Sequence, residues 1–176
     1  MKRYHPALVA LHWLLAALLI LALLMGNFVL AELPNSDPEK VNSLRGHMII
    51  GISILALMII RFGIRLKTKR PPDADIGNEV LNKGARIAHY ALYALVIAMA
   101  GSGLITANLA GLPDIVFFGS GAPLPANFDD IFARAVHGAL AKVLMLVIVS
   151  HIVAALYHQF VRKDSLFSRM WFGKRS

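Results

Sequence analysis

Apolar residues fill four long stretches of the chain, and polar or turn-forming residues break it between them. The first stretch, Ala7 to Ala31, has no charged side chain over about 25 residues, enough to cross a bilayer with some tilt. Pro6 stands at its start, where a missing N–H costs nothing. The second, Gly46 to Ile60, is prolonged by Arg61, Phe62, Gly63, Ile64 and Arg65, whose cationic side chains can reach the interface. The third runs from Arg86 to Asn108, and Gly101-Ser102-Gly103 near its middle would admit a neighbouring helix or a flat cofactor. The last runs from Ala135 to Val161. Pro34, Asn35, Ser36, Asp37 and Pro38 mark the first turn, and Lys67 to Pro72 ends the second stretch. Asp73 to Lys83 is a polar connection, while Gly111 to Asp130, rich in Gly and Pro with Phe117 and Phe118, reads as an ordered external loop against the membrane surface. The pattern predicts transmembrane helices at roughly 6–31, 40–66, 84–108 and 130–161, in an all-α, up-down-up-down four-helix membrane bundle that forms one domain over 1–176. A secretory signal would have an apolar run of only about 7 to 15 residues, so the first stretch is read as an uncleaved span.

Composition narrows the chemistry. With 57% hydrophobic residues the protein belongs in lipid. No cysteine is present, which excludes disulfides, iron-sulfur clusters, thiolate metal sites and covalent c-type haem attachment; any haem is held noncovalently and is b-type. The formal charge of +8 does not point to nucleic acid, because the cations lie at the ends of the apolar stretches. Placing both termini and the second connection on one side gathers Lys2, Arg3, Arg61, Arg65, Lys67, Lys69, Arg70, Lys83, Arg86, Arg162, Lys163, Arg169, Lys174 and Arg175 there, against Lys40, Arg45 and Arg134 opposite. By the positive-inside rule both termini are cytoplasmic.

Histidines carry the candidate chemistry. On one helix, His137 and His151 are 14 residues apart, which returns to within about 40° of the same face and separates them by roughly 21 Å along the axis. With the topology above, His47 matches the depth of His137 near the external side, and His12 matches that of His151 near the cytoplasmic side. The four make two axial pairs for two haems. A single histidine in a span is as readily a hydrogen-bond donor between helices; four at matched depths favour ligation. Arg45 and Arg134, just before the outer histidines, are candidates for haem propionates. So is Arg61, which lies 14 residues after His47 at the inner depth, with Arg65 beside it; both are alternatively interfacial anchors. Gly51 leaves room for a porphyrin one turn after His47. Lys142 is rotated by about 140° from the face of His137 and is read as reaching the external interface. His158, and with less support His89, are candidates to bind a quinone head group and move its protons. His5 is read as solvated.

His12-Trp13, His47 to Gly51 with Arg61 and Arg65-Leu66, the run from Ala88 to Tyr93, His137-Gly138, His151 and the run from Ala154 to His158 together resemble the bacterial cytochrome b561 family. A more distant likeness is to the cytochrome b subunits of hydrogenases and formate dehydrogenases. The resemblance covers nearly the whole chain and implies a dihaem b cytochrome of the bacterial inner membrane, with the matching histidines of the first, second and fourth spans as ligands. It implies electron transfer between the quinone pool and an external partner whose identity the sequence leaves open. One branch looks like a superoxide oxidase that delivers electrons to ubiquinone. Here Glu32, Asp37, Glu39, Asp114, Asp129 and Asp130 make the external side locally acidic, which steers an anionic donor poorly. A haem-bearing anchor subunit of a larger redox complex is another alternative. A metal or proton transporter is disfavoured because the four apolar stretches contain no carboxylate.

Overall fold

The computed structural model describes residues 3–69, 71–72, 77–164 and 166–173, and these form helices joined by short connections, with no strand among them. Lys2, Arg70, Lys174 and Arg175, counted above for orientation, lie outside the described residues, as do residues 73–76 of the second connection. Four helical segments are long and apolar enough to cross a membrane: Pro6–Leu30, Glu39–Lys67, Asn82–Leu109 and Phe132–Arg162. They correspond to α1 (Pro6–Met25, continued by a π-helical turn over Gly26–Leu30), α2 (Glu39–Lys67), α3 (Glu79–Leu109) and α5 (Phe132–Leu156, continued as π-helix over Tyr157–Arg162). The bounds differ from the sequence expectation by a few residues at the polar ends. Helical hydrogen bonding continues past the apolar stretch into the interface, as at Glu79, which begins α3 in its polar lead-in.

Two short helices were not expected. Leu112–Val116 (α4) lies inside the Gly- and Pro-rich loop and buries Leu112 and Val116 against Leu44 of α2 and Ala107 of α3. The loop therefore packs on the helix ends rather than resting only on lipid. Leu166–Arg169 (α6) lies in the basic tail. Its neighbours tie it across the start of α1: Trp13 Nε1 donates to the Met170 carbonyl at 2.8 Å, and Arg3 donates to the carbonyls of Trp171 and Phe172 at 3.2 and 2.7 Å. Trp13 also contacts the rings of Phe167 and Trp171. The end of the bundle that holds α6 is called the terminal end below, and the end that holds α4 the loop end.

Large apolar side chains that remain exposed, such as Leu14, Leu21, Ile49, Ile59, Ile105, Leu146 and Val153, cover the outer faces of all four spans. In water such surface would be a strong association liability; in hydrocarbon it is matched. The buried centre is a small cluster of Leu15, Ile54, Met58, Val96 and Leu144, one or two from each span. Leu144 is fully buried midway between His137 and His151, so an apolar floor separates the two histidine levels. The spans pack in a row, α1 on α2, α2 on α3 and α3 on α5, with at most grazing backbone contact between α5 and either α1 or α2 among the described residues.

Candidate haem sites

The open row is what places the histidines. His47 on α2 and His137 on α5 face one another at the loop end, their ring centroids 6.2 Å apart and their planes at 82°. His12 on α1 and His151 on α5 do so at the terminal end, at 6.3 Å and 72°. Each pair spans two helices whose backbones stand apart, and all four rings are half-buried. An imidazole nitrogen binds a transition-metal ion at about 2 Å. Adding roughly 1 Å from that nitrogen to each ring centroid, two imidazoles on opposite sides of one iron have centroids about 6 Å apart.

Local sequence explains why His137 sits so closely against α3. Gly103 has no side chain, and a Cβ there would stand 3.0 Å from His137 Cε1. With the ring pressed against α3, His137 Nδ1 lies 3.0 Å from the Met99 carbonyl and 3.1 Å from Ser102 Oγ, while Ser102 Oγ itself donates to the Met99 carbonyl at 2.8 Å. A carbonyl only accepts, so Nδ1 carries the proton and Nε2 keeps its lone pair. This second contact is the usual way a metal-binding histidine is oriented. Across the gap, His47 Nδ1 is buried with no hydrogen-bond partner among the described residues, and its ring packs near Gly26 at the π-helical turn of α1. The sequence marked Gly101-Ser102-Gly103 as a place of close approach. The structure divides the roles: Gly103 meets His137, Ser102 hydrogen-bonds it, and an added Cβ at Gly101 or Gly51 would meet nothing within 4 Å.

The terminal end is built differently. His151 also faces His89, centroids 5.7 Å apart, so it lies between two imidazoles. His89 is exposed, and its Nδ1 lies 2.7 Å from the Ala85 carbonyl. Arg61 donates to the Leu8 carbonyl, one turn before His12, and packs on the Tyr93 ring at 6.0 Å. Arg65 lies 5.8 Å from the Tyr93 ring and 5.9 Å from that of Tyr90. The Tyr93 hydroxyl between them is buried without a partner among the described residues.

Other predicted residues are placed as follows. Arg45 Nε donates to the Val116 carbonyl at 2.8 Å and so holds α4 to α2. Arg134 folds along its own helix over Gly138, where a Cβ would meet its Nη1 at 3.1 Å. Lys142 is exposed on the outside of α5. His5 Nδ1 accepts the Ala7 N–H at 3.3 Å and caps α1. Lys40, counted above among the external cations, is buried and donates to the carbonyls of Leu30 and Leu33 at 2.6 and 2.5 Å, closing the end of the first span. His158 Nδ1 lies 2.5 Å from Asp164 Oδ2. Burial acts to raise the Asp164 carboxyl, but hydrogen bonds from His158, the Leu166 N–H and Arg162 outweigh it and hold the group below the usual carboxylate range. Asp164 was not singled out from the sequence; a carboxylate six residues after a histidine gives no signal until the chain turn between them is seen.

The family model described as prokaryotic cytochrome b561 matches residues 3–173. The chain belongs to the prokaryotic cytochrome b561 family. It is 32% identical to a protein of Yersinia pestis named probable superoxide oxidase CybB, over 99% of this chain and 98% of that one. It is 29% identical to cytochrome b561 homolog 2 of Escherichia coli (strain K12), over 99% and 94% of the two chains, and 27% identical to cytochrome b562 of Cereibacter sphaeroides, over 95% and 94%. As a cytochrome b561 the protein is a multi-pass membrane haem protein of electron transport, and its haem is of the b type. The residues present fit that cofactor. Paired imidazoles at axial spacing, a histidine held in the Nδ1–H tautomer, an orphaned buried His47 nitrogen and helix backbones held apart are what a bis-imidazole haem requires.

Proposed function

We propose that this cytochrome carries two haems b and moves electrons across the bacterial inner membrane between the quinone pool and a redox partner at the external face. His47 and His137 hold one iron near the loop end, and His12 and His151 hold the other near the terminal end. The observation that carries this reading is the two half-buried imidazole pairs, 6.2 and 6.3 Å apart, between helices whose backbones stand apart. When bound, the haems supply one-electron redox chemistry, and the protein sets ligand geometry, burial and surrounding charge.

His12 is preferred over His89 as the partner of His151 because it is half-buried and matches the spacing of the other pair, whereas His89 is exposed. Arg61 and Arg65, with the unpartnered Tyr93 hydroxyl, form a cationic recess suited to a propionate of the terminal-end haem. Arg134 and Arg45 are the corresponding cations at the loop end. Arg3, Arg61, Arg65, Lys67, Lys69, Arg86, Arg162, Lys163 and Arg169 gather at the terminal end, which supports its assignment to the cytoplasm. His158, with His89 as the second candidate, supplies the quinone site on that side.

Two haems per chain by pyridine haemochrome assay, with a b-type reduced-minus-oxidised spectrum, are the expected result for the purified protein. A preparation folded in detergent that takes up no haem sinks the proposal. The named relative favours one specific partner, superoxide, as the external electron donor. Reduction of the haems by enzymatically generated superoxide, abolished by superoxide dismutase, would support that donor. No reduction would leave a different external partner.

A further inference from the structure

The C-terminal end of α5 turns sharply, and the turn brings one carboxylate onto His158. The last stretch, Tyr157–Arg162, is π-helical. It ends at Lys163, the one non-glycine among the described residues with positive φ, at 55°. A lysine there is strained, so its surroundings must hold it. They do so through His158 and Asp164. The His158 carbonyl accepts the Lys163 N–H and lies 3.4 Å from the Asp164 nitrogen. The Asp164 side chain returns to His158 Nδ1 at 2.5 Å through Oδ2, which Arg162 Nε shares at 3.3 Å, and its Oδ1 accepts the Leu166 N–H at 3.3 Å. The two side chains of the pair are 19% and 26% exposed.

An ionised carboxylate only accepts hydrogen bonds, so the proton in the short contact sits on Nδ1 and Nε2 is the ring nitrogen left for a ligand. This is the arrangement in which an acid orients a histidine for proton transfer. We infer that Asp164 is the positioning residue of the quinone site: it holds His158 with Nε2 free toward the head group, and its charge balances the imidazolium formed when His158 takes a quinol proton. The inference rests on the quinone reading given above. Oxidation of one quinol breaks its two O–H bonds. One proton would go to Nε2 of His158 and the other to water at the surface, while the bound haems would supply the one-electron acceptors for the two electrons. Quinone reduction is the reverse.

The test uses full-length haem-loaded protein in detergent with a short-tailed ubiquinol. Haem reduction is followed by stopped flow, and quinone binding by quenching of Trp13 and Trp171, the two tryptophans of the chain. D164N is expected to bind quinone within about twofold of the wild type while haem reduction slows by about 10- to 100-fold, and D164E to recover part of that rate. An unchanged rate in D164N overturns the positioning role. So does a parallel loss of quinone binding or haem content in both variants, which would make Asp164 only a brace for the turn. His158→Ala separates the two levels of the argument. If it binds and oxidises quinol like the wild type, the quinone site itself is elsewhere; if it fails while D164N is normal, only the role of Asp164 is lost.

Discussion

At the loop end, His137 is held against α3 by the Met99 carbonyl, the Ser102 hydroxyl and the bare backbone of Gly103, and it faces a single imidazole, that of His47. At the terminal end, His151 stands between His12 and His89, and the polar groups nearby are the cations Arg61 and Arg65 stacked on Tyr93. The difference lies in what surrounds the rings, because the spacing of the two pairs is almost the same. One pair is fixed by hydrogen bonds from the neighbouring helix. The other has a third imidazole, that of His89, beside it. A fixed ligand suits a haem whose iron only exchanges electrons, whereas a further titratable group beside the ligand suits exchange of electrons together with protons.

The largest expected effects break the comparison outright. His47→Ala and His137→Ala should each reduce haemochrome content from two haems to one and leave the same remaining spectrum; His12→Ala and His151→Ala should each leave the complementary one. Loss of mixed pairs would show that the ligands are wrongly joined. His89→Ala is the sharpest companion to this set, because His89 is as close to His151 as His12 is. It should retain both haems, and loss of the terminal-end haem would transfer the ligand role to His89.

Gly103→Ala should follow in size. Its Cβ would meet the His137 ring at 3.0 Å, so loop-end haem affinity should fall by about 10- to 100-fold in a haem titration. Gly101→Ala, with nothing within 4 Å, should be silent and controls for general helix effects. Ser102→Ala should have the smallest effect, because the Met99 carbonyl still accepts from Nδ1. Loss of one neutral hydrogen bond, about 1 kcal/mol, corresponds to a shift of roughly 40 mV in the loop-end midpoint, with the terminal-end potential unchanged. A redox titration that moves the terminal-end haem instead would reverse the assignment of the two sites.

Much of this was legible from residue order. Four predominantly apolar runs give four spans, and the 14-residue interval on the last span puts two imidazoles on one face. Small residues at Gly101-Ser102-Gly103 signal close approach but cannot say which of them receives the partner, since that depends on how α3 is rotated against α5. Nor could periodicity find α4 or α6, which are one turn or so long and owe their form to burial of Leu112 and Val116 or to the hydrogen bonds from Trp13 and Arg3. Lys40 shows the limit most clearly: counted as an external cation, it instead buries its ammonium on the carbonyls of Leu30, at the π-helical end of the first span, and of Leu33 in the bend that follows.

Sequence alone determined that the chain lives in lipid, how many times it crosses, which end gathers its cations, and that its family is that of b-type cytochromes. These follow from composition and one-dimensional spacing, to which hydrocarbon thickness and helical pitch respond directly. Tertiary structure decided that α5 stands off from α1 and α2, which groups fix His137, that His89 approaches His151, and that Asp164 meets His158. Those are contacts between segments 6 to about 60 residues apart, and they are set by helix rotation and chain reversal, which no local pattern encodes.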